Sequence, residues 1–151
     1  MKIGVPKEIK PQENRIGLTP ESVKELVSNG HEVLVESNGG YEAGFENDQY
    51  KNAGAKIVDK AGDIFNDAEI IVKVKEPLSN EVKMIRENQI IFTYLHLAAA
   101  KELTEGLIKS KGVCIAYETV TDNNGRLPLL APMSAVAGRM SVQAGAHCLE
   151  K

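Results

Sequence analysis

The sequence of 151 residues predicts an α/β fold, in which a mainly parallel open sheet is covered by helices on both faces. Short runs rich in Val and Ile alternate along the chain with segments whose apolar residues recur at helical spacing. Strands and helices that alternate at this pace are typical of crossover units that join parallel strands. The length is that of one domain, which is enough to bury a core without disulfides.

The elements of the first part follow in order along the chain. Residues 2–6 alternate apolar and β-favouring positions until a proline stops them, which predicts a first strand. Thr19 suits a helix N-cap, Pro20 the first helical position and Gly30 the helix end. The run "HEVLVES" predicts a second strand after that helix.

The middle of the chain has less marked boundaries. Between residues 41 and 67 the runs "NDQYKNAGA" and "KAGDIFND" predict two short helices, and "AKIVD" predicts a short extended segment between them. "EIIVKV" then predicts a strand, and Ser79 predicts the cap of a short helix that ends near Arg86.

The last third of the chain alternates predicted strands and helices in the same way, except for its final segment. "QIIFTYL" and "GVCIAYE" predict strands, with a helix over Lys101–Lys109 between them. A proline-marked loop then enters a helix from about Met133, which is rich in small residues and is expected to run to the last residue.

Composition excludes several classes of protein. With a net charge of -3 and 26% charged residues, the chain has no general electrostatic attraction for nucleic acid. It contains no signal-peptide pattern and no uninterrupted apolar run of about 18 residues, so a cytoplasmic protein without membrane spans is expected. Cys114 and Cys148 lie outside any C-x-x-C motif, and we expect small buried thiols of a reducing compartment, with no metal site.

Several catalytic motifs are also absent from the sequence. It contains no G-x-G-x-x-G after a strand, no G-x-x-x-x-G-K-[ST], no H-E-x-x-H and no G-x-S-x-G. Nucleotide binding, zinc hydrolysis and serine nucleophile chemistry therefore have no local signature in this chain.

Ionisable residues follow the ends of several predicted strands. Lys75 ends "EIIVKVK", His96 follows "QIIFTYL", Glu118 ends "GVCIAYE", and Arg15 lies in the loop after the first strand. Ligands of open parallel sheets bind outside the carboxyl ends of the strands. Two cations and a histidine at that edge would suit a small substrate with a carboxylate and a carbonyl.

Structural roles for the same residues stay open at this point. Arg15 and Lys75 could be solvated, or paired with Glu76 or Glu118, and His96 could be a satisfied histidine at a helix start. Since side chains alternate along a strand, Lys73 and Lys75 of "IVKVKEP" are expected to share one face.

Four separated strings resemble the alanine dehydrogenase family, in the same order and over the whole chain. They are "MKIGVPKEIKPQENRIGLTP", "IVKVKEP", "FTYLHLAAA" and "IAYETVTDNNGRLPLLAPMSAVAGRMS". The resemblance implies the reversible NAD-dependent oxidative deamination of L-alanine to pyruvate and ammonia, an activity of L-alanine catabolism, by a homohexamer. It also implies a Rossmann-like substrate domain.

The resemblance assigns roles to individual residues. It implies that Arg15 and Lys75 bind the substrate, that His96 is catalytic and that Ser134 contacts the nicotinamide cofactor. Met133 and Glu118 would line the same cofactor region, and Lys73 is the better candidate for a structural partner.

The family's dinucleotide-binding domain has no counterpart in these residues. We therefore expect residues 1–131 to form the N-terminal segment of the substrate domain, and residues 132–151 to start a linking helix towards a missing NAD-binding domain. The chain is expected to fold but to lack activity by itself, as a piece of a longer protein. Alternatives are the N-terminal half of the transhydrogenase alpha subunit, more distantly the saccharopine enzymes, and a non-catalytic module that binds small anions.

Overall fold

A computed structural model of the chain, in which residues 1–150 are described, confirms the predicted α/β fold. The strands are β1 (Lys2–Val5), β2 (Glu32–Glu36), β3 (Lys56–Val58), β4 (Ile70–Val72), β5 (Ile90–Thr93) and β6 (Val113–Ala116). The helices are α1 (Pro20–Ser28), α2 (Asn47–Asn52), α3 (Ala61–Asp67), α4 (Ser79–Val82), α5 (Lys101–Ser110) and α6 (Ala131–Leu149). Short 3-10 turns cover Tyr41–Ala43, Leu97–Ala99 and Tyr117–Thr119.

The six strands form one sheet in the order β3-β2-β1-β4-β5-β6. β1 pairs in parallel with β2 on one side and with β4 on the other, and the pairs β2–β3 and β4–β5 are parallel as well. This order runs outward in both directions from β1 and β4. The point at which it reverses therefore lies between these two central strands, where doubly wound sheets bind their ligands.

Alternation along β1 divides the core between the two faces of the sheet. Ile3 and Val5 belong to a buried cluster that includes Val23 of α1 and Tyr50 of α2. On the opposite face a Cβ at Gly4 would lie 2.5 Å from Ile64 Cγ2 of α3, so only glycine allows this helix its close approach. Helices thus pack on both faces, as the sequence predicts.

The predicted boundaries of α1 are confirmed by its caps. The Thr19 hydroxyl accepts the Ser22 N–H at 3.3 Å, and Pro20 is the first helical residue. Gly30 lies just past the helix end with a φ of +80°, a left-handed conformation that costs glycine little.

Two predicted elements are shorter than expected. β4 ends at Val72, so Lys73 and Lys75 do not share a strand face: Lys73 is buried, whereas Lys75 is partly exposed beyond a bend. The helix expected to reach Arg86 ends at Val82, and Ser79 is its first residue rather than its cap. Arg86 instead donates hydrogen bonds to the carbonyls of Phe65 and Ala68, which holds it in the connection to β5.

The chain divides into two compact units, residues 1–115 and the residues from Ala116 onward. The second unit contains a 3-10 turn, a loop and α6, which begins two residues before the predicted start and ends at Leu149. The prediction that this helix reaches the last residue falls partly on Lys151, which lies outside the described residues.

Two further expectations concern single side chains and membrane spans. Cys148 is exposed and Cys114 is half-buried, so the expectation of two buried thiols was wrong. Cys148 lies on α6, none of whose residues is buried. Within residues 1–150, none of the helices combines the length and apolar character that crossing a membrane requires.

Candidate functional site

Ionisable side chains from three separate loops meet beyond the carboxyl ends of β1, β4 and β5. Glu8, Glu13 and Arg15 follow β1, Lys75 follows β4, and His96 follows β5. The parallel pairing of β1 with β4 and of β4 with β5 brings these loops to one edge of the sheet. The structure thus places Arg15, Lys75 and His96 at the edge that the sequence predicts.

A buried ion-pair triad lies under this edge. The Lys73 ammonium is 3.1 Å from Glu8 Oε2 and 2.8 Å from Glu81 Oε1. The Lys73 side chain is 1% exposed and both carboxylates are 2% exposed. Charges so far from water are tolerated only when paired, which fits the structural role expected for Lys73.

Lys75 is held by its backbone and leaves its side chain available. Its N–H donates to Glu8 Oε1 at 3.3 Å, and its carbonyl accepts the Thr93 hydroxyl at 2.9 Å. Within residues 1–150 the Lys75 ammonium forms neither a hydrogen bond nor an ion pair. A partly exposed cation at a strand end, with a fixed backbone and no ion-pair partner within residues 1–150, is suited to binding an external anion.

Arg15 is paired with a carboxylate close to it in sequence. Its Nε and Nη2 lie 2.7 Å and 2.5 Å from the two carboxylate oxygens of Glu13, whose side chain is 6% exposed. The hydrogen bond from Arg15 lowers the pKa of the Glu13 carboxyl; burial opposes this shift, and the nearby charge of Lys75 adds to it. Glu13 therefore lies within the electrostatic influence of both cations. The sequence-based alternative that Arg15 pairs with Glu76 or Glu118 did not identify this partner.

His96 is presented by an unusual backbone conformation. Its φ of 50° and ψ of 38° are left-handed, and it begins the 3-10 turn after β5. The imidazole is 54% exposed, lies 3.4 Å from Glu76 Oε2 through Nδ1, and stacks on Tyr94 with a centroid distance of 6.0 Å. Strained residues of this kind concentrate at functional sites. A carboxylate facing Nδ1 favours the tautomer whose proton is on Nδ1.

Glu76 connects His96 to a third cation. It accepts a hydrogen bond from the Lys10 ammonium, and it lies directly after Lys75 in the chain. Burial works to raise the pKa of the Glu76 carboxyl, but hydrogen bonds from Lys10, its own backbone and His96 together lower it. Glu76 thus stays ionised beside the imidazole.

A groove of about 560 Å³ lies next to this edge, between α4 and α5. Its walls come from these helices, from the 3-10 turn before α5 and from Glu76, and its lining does not include Arg15, Lys75 or His96. We therefore place the candidate site at the strand ends and not in this groove.

The residues predicted to meet the cofactor lie in the second unit of the chain. Ser134 is in the first turn of α6, where its N–H donates to the Leu130 carbonyl at 3.2 Å. Met133 precedes it on the same helix, and Glu118 lies in the 3-10 turn after β6. Their contact with a cofactor stays a prediction.

Three acidic residues of the site escaped sequence reasoning. Glu8 is 65 residues from Lys73 in sequence, and Glu81 lies on α4 beyond the bend after β4, so no regular strand or helix spacing reveals their pairing. Glu13 is two residues from Arg15, and this E-x-R spacing could have suggested the pair.

We expect the acid stability of the chain to depend on Glu13. A carboxyl whose pKa is lowered on folding stabilises the protein above its unfolded pKa of about 4.5, and the contribution is lost as the pH falls through the folded pKa. Glu13→Gln should therefore weaken the fall in unfolding free energy below about pH 4.5. Urea denaturation between pH 7 and pH 3 measures this dependence.

The matched control is Glu25→Gln, on the exposed surface of α1, which should keep the wild-type dependence. The Glu36 carboxyl contributes to the pH dependence of the unfolding free energy in the opposite direction. Burial raises its pKa, so its contribution favours the folded form more as the pH falls. An unchanged pH dependence in Glu13→Gln would contradict the prediction.

Comparison with known proteins assigns most of the chain to one family. The family described as "Alanine dehydrogenase/PNT, N-terminal domain" matches residues 4–137. The chain is 55% identical over 151 residues to an alanine dehydrogenase of Halomonas elongata and covers 41% of it. It is 56% identical over 152 aligned positions to an alanine dehydrogenase of Bacillus subtilis, all of the chain matching 39% of that protein. The chain thus spans about two fifths of the length of these curated relatives.

Two solved structures are similar to the chain to different degrees. An L-alanine dehydrogenase superposes with a TM-score of 0.93 at 55% identity, over 99% of this chain and 41% of that one. A transhydrogenase from Sinorhizobium meliloti superposes with a TM-score of 0.74 at 27% identity, over 78% of this chain and 35% of that one.

Proposed function

Since the chain belongs to the alanine dehydrogenase/PNT N-terminal domain family, we propose that it supplies the substrate-binding part of an NAD-dependent L-alanine dehydrogenase. The complete protein would interconvert L-alanine with pyruvate and ammonia. Similarity to the alanine dehydrogenases extends further along the chain than similarity to the transhydrogenase, which supports this choice between the two.

One observation supports the proposal most directly. The ammonium of Lys75 forms no ion pair within residues 1–150, and it lies at the strand edge where Arg15 and His96 also emerge. Pyruvate carries a carboxylate next to a carbonyl. The arrangement offers that molecule two cations for binding and one group that can exchange a proton near neutral pH.

We assign one task to each of the three side chains. Arg15 and Lys75 bind the carboxylate and carbonyl oxygens of the substrate and hold it in one orientation. His96, with Glu76 at Nδ1, acts in its imidazolium form: Nε2 gives a proton to the carbonyl oxygen as the ammonia nitrogen bonds to the carbonyl carbon. In the reverse direction the neutral imidazole takes the proton back through Nε2.

The residues beyond β1 and β4, where the strand order reverses, do not fit a dinucleotide. β1 ends at Val5 and α1 begins only at Pro20, so no helix N-terminus follows the strand directly to receive a pyrophosphate. We therefore derive no step through NAD in these residues, and we propose that the cofactor is held mainly by a part of the protein outside them, with Ser134 in contact.

The remaining properties of the complete protein are proposed on the same resemblance. They are a homohexameric assembly, a cytoplasmic location and a small-molecule substrate, without a nucleic-acid or membrane partner. The net charge of -3 supports the lack of a nucleic-acid partner.

An NMR titration of the 151-residue chain with pyruvate tests the proposal. Wild-type protein should show saturable shifts at residues 15, 75 and 96, including the His96 ring. Lys75→Ala should weaken pyruvate binding roughly 10- to 100-fold, because a hydrogen bond to a charged group contributes about 1.5–3 kcal/mol. Lys24→Ala, which removes the same charge from the exposed surface of α1, is the matched control and should bind as the wild type does.

The titration also separates this function from its alternative. Equal shifts with acetate, phosphate and pyruvate would favour a non-catalytic module for small anions. A folded wild-type chain without any pyruvate shift would contradict a preformed substrate site.

A further inference from the structure

Glu8 holds three consecutive residues at the end of β4 with a single carboxylate. Its Oε1 accepts the Val74 N–H at 2.6 Å and the Lys75 N–H at 3.3 Å. Its Oε2 accepts the Lys73 ammonium at 3.1 Å. The residue is only 6% exposed, so water cannot replace it as the acceptor for these groups.

These bonds compensate for the end of the sheet ladder. β1 stops at Val5, and among residues 1–150 no strand lies beside β4 beyond this point to accept the N–H groups on that side. On the other side, pairing with β5 continues from the Lys73 N–H to the Phe92 carbonyl at 3.1 Å and from the Tyr94 N–H to the Val74 carbonyl at 3.2 Å. Glu8 therefore takes the place of a strand neighbour for residues 74 and 75.

The same bonds determine where Lys75 points. In a strand, successive N–H groups point to opposite sides, so two of them can share one acceptor only if the chain bends. The chain does bend at Val74 and Lys75. This bend separates the buried Lys73 from the partly exposed Lys75, whose ammonium the substrate would meet.

We propose that Glu8 is a positioning residue for the substrate lysine Lys75. Its buried carboxylate would act without contacting the substrate: it fixes the backbone of residues 73–75 and so holds the Lys75 ammonium at the strand edge. This inference rests on the proposed function of Lys75. The claim that Glu8 fixes the backbone of residues 73–75 does not depend on a ligand.

Glu8→Gln, compared with Glu81→Gln, tests the proposal. Both carboxylates are 2% exposed and both bind the Lys73 ammonium, so the two variants remove equivalent charges from one buried triad. Glu81 holds a different backbone group, the Leu78 N–H at 2.8 Å. A glutamine at position 8 has one acceptor oxygen and cannot serve both Lys73 and the two N–H groups.

Three quantities are measured on the 151-residue chain: the urea midpoint, the hydrogen-exchange rates of the amides and the dissociation constant of pyruvate. We expect the urea midpoint to fall similarly in both variants. Only Glu8→Gln should raise the exchange rates of the Val74 and Lys75 amides about 10-fold or more relative to neighbouring strand amides. Only this variant should also weaken pyruvate binding about 10-fold.

Other results would contradict either the positioning role of Glu8 or the proposed function. Wild-type exchange rates at residues 74 and 75 in folded Glu8→Gln, or pyruvate affinities that are equal in the two variants, would overturn the positioning role. If wild-type protein binds no pyruvate, the proposed function fails. The amide exchange rates of residues 74 and 75 and the NMR line width of the Lys75 Cε signal, compared between wild type and Glu8→Gln, then still decide whether Glu8 orders this segment. If Glu8→Gln does not fold, Glu8→Asp retains the charge of the triad but is one methylene shorter, and the same exchange and binding changes are expected there.

Discussion

Lys73→Met is expected to lower the free energy of unfolding by about 3–5 kcal/mol, because it leaves two buried carboxylates without their counterion. Glu8 and Glu81 are each 2% exposed, and both depend on the Lys73 ammonium. The total stability of a domain is about 5–15 kcal/mol, so this single change removes a large part of it. Urea denaturation at pH 7 measures the loss.

Two further variants make this test specific. Lys75→Met removes the same charge two residues away, from an ammonium that has no ion pair within residues 1–150, and should change the stability by no more than about 0.5 kcal/mol. The triple variant Glu8→Gln, Lys73→Met, Glu81→Gln removes every charge of the triad and should recover most of the stability. A Lys73→Met protein as stable as the wild type would show that the triad carries no buried charge.

Gly17→Ala is expected to destabilise the chain by about 1–3 kcal/mol and to displace the loop of Arg15. A Cβ at position 17 would lie 2.5 Å from the Val72 carbonyl oxygen and 2.9 Å from its carbon. These are backbone atoms of β4, which cannot move aside as a flexible side chain would. The loop after β1 must therefore shift away from the strand end, and pyruvate affinity should fall together with stability.

Urea denaturation and the pyruvate titration together measure both effects of Gly17→Ala. Gly62→Ala in α3 is the control, since the nearest atom to its new Cβ would be Met84 Sδ at 3.9 Å. That variant should keep its affinity and gain up to about 1 kcal/mol from improved helix propensity. Wild-type stability of Gly17→Ala would show that the loop does not rest against Val72.

Local patterns in the sequence were sufficient for much of the fold. The ends of α1 follow from Thr19, Pro20 and Gly30, whose chemistry acts within one turn of the helix. The end of β4 could not be predicted in this way. It depends on the carboxylate of Glu8, which is 66 residues away from Val74.

The candidate site, like the fold, could be predicted from the sequence only in part. Arg15, Lys75 and His96 were placed at one edge because parallel strands all end on the same side of the sheet. Their partners could not be assigned by that rule, since it fixes where a loop begins but not which side chains meet. Alternation along an extended strand likewise failed for Lys73 and Lys75, because the strand ends before either of them.

The buried triad also links the site to the order in which the chain is synthesised. Glu8 precedes Lys73 by 65 residues. At about 5–20 residues per second, a ribosome needs roughly 3–13 s to add the cation after the anion. During that interval β1, β2 and β3 can be present, but Glu8 has neither its counterion nor the backbone of residues 74 and 75 to bind. The nascent N-terminal half must therefore keep this carboxylate in water, and the central crevice closes only after β4 has been made and paired with β1.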